Sequence, residues 1–460
     1  MGEESMLIGR TSELSYLNQY YQRQGSQILV VYGQKNIGKT ELVRKFIKDK
    51  PGHYHFAGAC SEQEQLYQWS RQLKEEGITQ EMQTSFFAIL QHAVGENTRK
   101  MVLVVDEFQN LVKAGNEFMD QLVSFLHREG EENGVMVVLC SSMIGWVENS
   151  MVTRIGAAAY ELSGFLKIKE LPFACMEQRF PDFRVEECVE TYAVLGGFPG
   201  LWDQFDDKLT VQQNMCRNVL DGTKLLFEEG ERLVTEQLRE PAVYNTILAS
   251  LASGRKKLND LYLHTGFSRA KISVYLKSLM ELELVEKVFS YDTEGRENVQ
   301  KGVYQICHPL VEFYFTYLYP NMSSRMTMSP GEFYNHYIMP DFRAYTEKAF
   351  ERACRQYLLQ CSERNRLPFT IESIGEWVGK NGTIDLIAQD ETGNTLAGIC
   401  NWQEPVMTYE DYERLLRLAK KARIRTDYVY LFTATKFDER LQREAKGRSN
   451  LKLIQISDMT

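Results

Sequence analysis

Apolar residues in this chain are arranged in two ways. Over 27–32, 101–105 and 134–140 they run almost without interruption (QILVVY, MVLVV, GVMVVLC), which predicts strands buried on both faces of a parallel sheet. Over 13–21, 62–73 and 84–94 they recur at intervals of three and four, which predicts amphipathic helices. Residues 53–60 read as a further strand, and the alternation over 157–173 as the last strand of this part and its exit. Strands separated by helical segments give an α/β fold with a parallel sheet. The segment 171–238 reads as helical.

Beyond residue 239 the pattern changes. Helices are predicted at 242–252, 258–265 and 268–282, the last two joined by a short turn at Gly266, followed by a hairpin at 284–291 and 302–307. That order is a winged helix-turn-helix. An aromatic stretch (Phe313, Tyr314, Phe315, Tyr317, Tyr319) reads as a packing surface. The final part reads helix (344–359), strands (369–375, 383–389, 395–401), helix (409–422), strand (427–433), helix and strand (451–456). Four domains are expected: 1–170, 171–238 (an all-α lid), 239–325 and 335–460.

The first strand runs into Gly33-Gln34-Lys35-Asn36-Ile37-Gly38-Lys39-Thr40 and then Glu41. With glycine, glycine, lysine and threonine at the fixed positions after a strand and before a helix, this is a phosphate-binding loop. The glycines let successive backbone N–H groups point at a polyphosphate, and the helix adds the positive end of its dipole. Lys39 is expected to neutralise β- and γ-phosphate charge, and Thr40 to ligate Mg²⁺. A second apolar strand ends in Asp106-Glu107. A carboxylate reaches a buried site this way at a strand's C-terminal end, where a cation offsets its charge. Asp106 is assigned to Mg²⁺, and Glu107 to orienting or deprotonating the attacking water. The strand at 134–140 ends in Ser141-Ser142; in the AAA-like ATPases that this order of motifs resembles, the corresponding strand end carries a polar γ-phosphate sensor, and Ser141 and Ser142 fill that place, although a hydroxyl there also caps a helix. Arg154 is the nearest candidate for an arginine at the transferred phosphate.

Charge and cysteine usage narrow the picture. The 460 residues carry a formal net charge of −9, so there is no chain-wide attraction to nucleic acid or anionic lipid. The excess of Arg255, Lys256, Lys257, Arg269, Lys271 and Lys277 over Asp260 is a local basic patch suited to phosphates. Glu281, Glu283 and Glu286 follow it and would repel a duplex, so DNA binding and protein packing both stay open. The start of the chain carries acids and lacks an apolar leader core, and no run is long enough for a membrane span. The nine cysteines are scattered and read as reduced thiols of a cytoplasmic protein.

Gly9-Arg10 with Glu13-Leu14 and Leu17, the phosphate loop, Val104-Val105-Asp106-Glu107, Cys140-Ser141-Ser142, and the stretch from Tyr192 through Gly196-Gly197-Phe198-Pro199 together resemble the archaeal-type ATPase branch of the AAA/STAND P-loop NTPases. The resemblance implies ATP and Mg²⁺ as ligands. It also implies that Gly9-Arg10 and Pro199 pack by the adenine, although a plain turn between helices also accounts for the glycines and proline. It implies a slowly hydrolysing switch that reports to a protein partner or to its own copies, and it leaves DNA as a candidate partner of the winged helix.

The last domain resembles restriction-endonuclease-like folds, whose active members carry an Asp on the second strand, Glu-x-Lys on the third and often a Glu on the first helix. Asp385 and Glu351 fit the first and last of these. Ile399 and Asn401 stand where the acid and lysine belong, so a scaffold that does not cut is expected.

Overall fold

The structure is a computed structural model that describes residues 7–95, 99–114, 117–129, 134–236, 238–291, 302–380 and 382–459. Residues 1–6, on which the reading of the chain start partly rests, lie outside the described residues, as do 292–301 of the expected wing. The chain divides into two compact units, Met1–Glu170 with Phe198–Gly200, and Leu171–Gly197 with Leu201–Thr460.

Among the described residues of the first unit, five strands form one sheet: β1 (Gln27–Tyr32), β2 (Gly52–Phe56), β3 (Met101–Asp106), β4 (Val135–Ser141) and β5 (Leu162–Lys167). Their order is β2-β3-β4-β1-β5, and every neighbouring pair is parallel. Helices cover both faces, which is why β3 and β4 are buried at every residue and read as unbroken apolar runs. The position of β4 between β1 and β3 decides the chemistry, because it sets the tips of the three strands side by side.

Two strand ends differ from expectation. The strand expected over 53–60 stops at Phe56, where Ala57 N–H bonds the Asp106 carbonyl and Ser61 then caps the helix Glu62–Glu75. The strand expected over 157–173 shrinks to β5, because Gly156 at φ +57° opens a 3₁₀ turn and pairing with β1 begins only at Leu162.

The second unit opens with helices that include Val185–Leu195 and Leu225–Thr235. The helix-turn-helix is built from Pro241–Ala252, Leu258–Thr265 and Arg269–Glu281. Gly266 takes the left-handed conformation (φ +71°) that ends the second helix, and Ser268 Oγ accepts from Lys271 N–H to start the third. Antiparallel β6 (Val285–Val288) and β7 (Val303–Ile306) follow. The aromatic stretch turns inward within this unit, with Tyr314 Oη donating to Glu231 and Tyr317 Oη to Asp341.

The chain then forms the helix Glu347–Glu363 and β8 (Ser373–Gly379), β9 (Gly382–Gln389), β10 (Thr395–Asn401), β11 (Val406–Met407), β12 (Tyr428–Thr433), β13 (Lys436–Phe437) and β14 (Leu451–Gln455). Five of these make a mixed sheet in the order β14-β12-β10-β9-β8, antiparallel through β8, β9 and β10 and parallel through β10, β12 and β14. Its first strand starts later than the apolar pattern suggests, at 373 and not 369. Ile371 N–H is held by Ser362 Oγ, and the ladder to β9 starts with Ser373 opposite Gln389. No helix among the described residues is long and apolar enough to cross a membrane.

Candidate functional site

The loop after β1 holds a shape that its glycines permit. A Cβ on Gly33 would lie 2.5 Å from the Ile168 carbonyl oxygen, and Gly38 sits at φ +92°. Asn36 also lies in the left-handed region, at φ +61°, a conformation that asparagine tolerates better than most residues. Lys39 begins the helix Lys39–Ile47 and is buried; its Nζ donates to the carbonyls of Gly33 and Gln34, both at 2.9 Å. Burial pushes its pKa down, and Glu107 and Asp106 oppose that shift. Ile37 is buried, Gln34 and Lys35 are half-buried, and Glu41 is exposed.

The tip of β3 lies against this loop. Asp106, 3% exposed, accepts at Oδ2 from Thr40 Oγ1 (2.9 Å) and Tyr54 Oη (2.7 Å), and at Oδ1 from Glu107 N–H (3.0 Å). Glu107 stands at φ +54°. Its Oε2 accepts from Ser142 Oγ at 2.7 Å and from Gln109 Nε2. The β4 tip joins the two sides, its Ser141 carbonyl accepting from Gly33 N–H (3.2 Å) and its Cys140 carbonyl from Phe108 N–H (3.0 Å).

Two outer supports brace the loop. Arg10, 3% exposed, donates from Nη2 to the Ile37 carbonyl at 2.8 Å and from Nη1 to Glu13; it follows Gly9, at φ +66°. Gly200 N–H donates to the Asn36 carbonyl at 2.9 Å, and Pro199 Cγ lies 3.0 Å from where a Gly38 Cβ would be. Arg10, assigned from the resemblance to the adenine, holds a main-chain carbonyl of the phosphate loop, and Pro199, assigned likewise, lies beside Gly38.

The residues fit a magnesium nucleotide. The lack of a Cβ at Gly33 and Gly38 lets the backbone take the bend that exposes N–H groups to a polyphosphate, and the Thr40 hydroxyl beside the Asp106 carboxylate is the all-oxygen donor set that a hard cation takes. Sequence reasoning missed Tyr54 and Gln109. Tyr54 meets Asp106 because β2 is the neighbour of β3, and sequence alone does not give that adjacency. Arg154 lies exposed on the helix Met151–Ile155 and is not among the groups described above.

In the C-terminal sheet, Asp385 Oδ2 accepts from Cys400 N–H at 2.9 Å and Oδ1 from Thr383 Oγ1. Burial, then the Asp385 charge, push the Glu351 carboxyl up to about 8. Ile399 does not stand beside them. It packs with Leu415 and Leu418 in the core on the other side of the sheet, so the position next to Asp385 is Cys400, one residue later. Asn401 donates to the Glu404 carbonyl. With cysteine at the corrected position, that strand still presents no acid to Asp385.

Residues 7–205 match the family described as "ATPase domain predominantly from Archaea". Residues 245–287 match the arsR family of bacterial regulatory proteins, and 314–415 match a family described as "Archaea bacterial proteins of unknown function". An uncharacterized protein of Methanocaldococcus jannaschii is 26% identical over 389 residues, 84% of this chain and 85% of that protein. The Walker-type ATPase of Pyrococcus abyssi superposes at TM-score 0.48 and 16% identity, over 67% of this chain and 96% of that one. The ORC2 protein of Aeropyrum pernix gives TM-score 0.49 and 14% identity, over 71% and 98%. The chain carries an archaeal-type P-loop ATPase domain followed by an arsR-type helix-turn-helix and a C-terminal α/β domain.

Proposed function

We propose that this protein is an ATP-binding switch that hydrolyses ATP slowly and reports its nucleotide state through its C-terminal half to a protein partner or a second copy of itself. The observation that carries this reading is the convergence of three strand tips: the loop 33–40, the Asp106–Glu107 pair and Ser142. The four-part division at residues 170, 238 and 325 belongs to the same reading. The resemblance, and the lack of a guanine-reading N-K-x-D sequence, favour ATP.

In this scheme the main-chain N–H groups of 33–40 bind the phosphates and Lys39 Nζ leaves its carbonyl partners to lie between the β and γ groups. Thr40 and Asp106 would hold Mg²⁺, which when bound would supply Lewis-acid neutralisation of the charge on the phosphate oxygens. Both donors to Glu107 act on Oε2, so Oε1 is assigned to accept the proton of the attacking water as the bond to the bridging oxygen breaks, giving ADP and phosphate. Two hydrogen bonds to an ionised group, each worth about 1.5–3 kcal/mol, hold that carboxylate back and account for a slow rate. Lys39→Ala is expected to abolish nucleotide binding and Glu107→Gln to retain binding while blocking turnover. Hydrolysis by Glu107→Gln at the unaltered rate removes Glu107 from its role.

A second reading, a nucleotide-gated DNA-binding protein, is favoured by one observation. The third helix of the helix-turn-helix exposes Arg269, Lys271 and Lys277. Exposed Leu263 and Val274 (71% and 64%) suit a protein surface better, which ranks this reading second. A mobility shift with duplex DNA that weakens steeply with salt establishes it. The same incubations with Mg²⁺ or Mn²⁺ are expected to leave the DNA uncut, since the third strand of that sheet, with Ile399, Cys400 and Asn401, supplies neither an acid nor a lysine.

A further inference from the structure

Asp106 is held by three donors of different kinds. Glu107 N–H is its own chain neighbour, and Thr40 Oγ1 belongs to the phosphate loop and is the hydroxyl assigned to Mg²⁺ in the proposed function. The third donor, Tyr54 Oη, comes from another strand and makes the shortest of the three bonds, 2.7 Å against 2.9 and 3.0 Å.

Core packing does not explain Tyr54. Along β2 the buried positions are His53 and His55, 4% and 3% exposed, whereas Tyr54 is half-buried and lines a groove with Phe56, Gln68 and Arg71. Its ring is nevertheless fixed in place. Gln72 Nε2 donates to its carbonyl at 2.8 Å, and the Arg44 guanidinium, from the helix that the phosphate loop opens, sits 5.5 Å from its ring centre.

We infer that Tyr54 is a positioning residue for the magnesium of the nucleotide site: its hydroxyl fixes the Asp106 carboxylate so that the oxygen lone pairs left over face the metal's water shell. Thr40 would give up its bond to Asp106 in order to ligate the metal, whereas Tyr54 would keep its own. Outer groups that orient a metal ligand in this way change metal affinity by about 10–100-fold when removed.

The inference rests on the ATP-binding reading above. The test uses the full chain, a fluorescent ADP analogue and a Mg²⁺ titration starting from EDTA. Tyr54→Phe keeps the ring and loses only the hydroxyl. It is expected to bind the analogue normally in EDTA, to melt at the unaltered temperature without nucleotide, and to need about tenfold more Mg²⁺ to reach half of the metal-dependent gain in affinity. An unchanged Mg²⁺ requirement alongside normal binding overturns the inference and leaves the ATP-binding reading intact. Equal losses of melting temperature and EDTA affinity, with no change in Mg²⁺ requirement, make Tyr54 structural and also overturn it. No analogue binding by the unaltered protein at any Mg²⁺ concentration overturns the ATP-binding reading and this inference with it.

Discussion

Two residues of the site, Asn36 at φ +61° and Glu107 at φ +54°, occupy the left-handed backbone region without being glycine. Each costs on the order of 1 kcal/mol and persists only because its neighbours hold it. For Glu107 those neighbours are Ser142 and Gln109 on the carboxylate and the bond from its own N–H to Asp106. Gly33 shows how little slack the loop has. Gly33→Ala puts a methyl group 2.5 Å from the backbone oxygen of Ile168, beside the bond from Ile168 N–H to the Tyr32 carbonyl. It is expected to cost about 1–3 kcal/mol of stability and most of the nucleotide affinity, measured by thermal melting and by titration with the fluorescent nucleotide. Gly331→Ala, with nothing within 4 Å, is the neutral control. At this scale the sequence is legible wherever chemistry demands a residue type at fixed spacing, as at 33–40 and 106–107. Tyr54 and Gln109 fulfil no such spacing; their partners follow from strand adjacency and from a turn that only the folded chain displays.

Among the elements, the unbroken apolar strands β1, β3 and β4 were legible because both of their faces are covered. Strand ends were less so, since pairing and capping set them: Phe369 is apolar and precedes its strand, because the ladder to β9 begins at Ser373. The third strand of the C-terminal sheet spans 395–401 as expected, but the apolar pattern did not give which of its residues meets Asp385: Ile399 lies in the core and Cys400 N–H bonds that carboxylate. That arrangement makes the Glu351 carboxyl a liability at neutral pH. Burial, then the Asp385 charge, raise its pKa in the folded chain to about 8, from an ordinary 4.5. The folded state therefore retains a proton that the unfolded chain gives up, and stability is full below the unfolded value and declines as pH rises towards the folded one. Glu351→Gln removes the titration. Its melting temperature is expected to match that of the unaltered protein near pH 4, to exceed it progressively between pH 5 and 8, and to hold a constant lead above that. A lead that does not grow with pH shows that the Glu351 carboxyl is not buried as described.

For the whole molecule, the C-terminal half holds the helix Val185–Leu195, from which the chain runs on into residues 198–200 of the first unit. Tyr192, on Val185–Leu195, accepts from Gln356 Nε2 at 2.9 Å, and the Arg352 guanidinium lies 4.9 Å over its ring. Two residues past the end of that helix, the backbone passes through Gly197, where a Cβ would come within 2.0 Å of the Leu171 carbonyl oxygen, and then enters the first unit as Phe198–Gly200. The composition pattern announced a lid after residue 170, but it gave no sign that three residues of that lid belong to the nucleotide-binding unit. The excursion has a topological consequence. The backbone enters that unit twice, so no single cut releases it whole. Severing the chain near residue 170 strips away the segment that seats against Gly38 and Asn36. A lineage exchanging this nucleotide-binding part for another would have to transplant both pieces together.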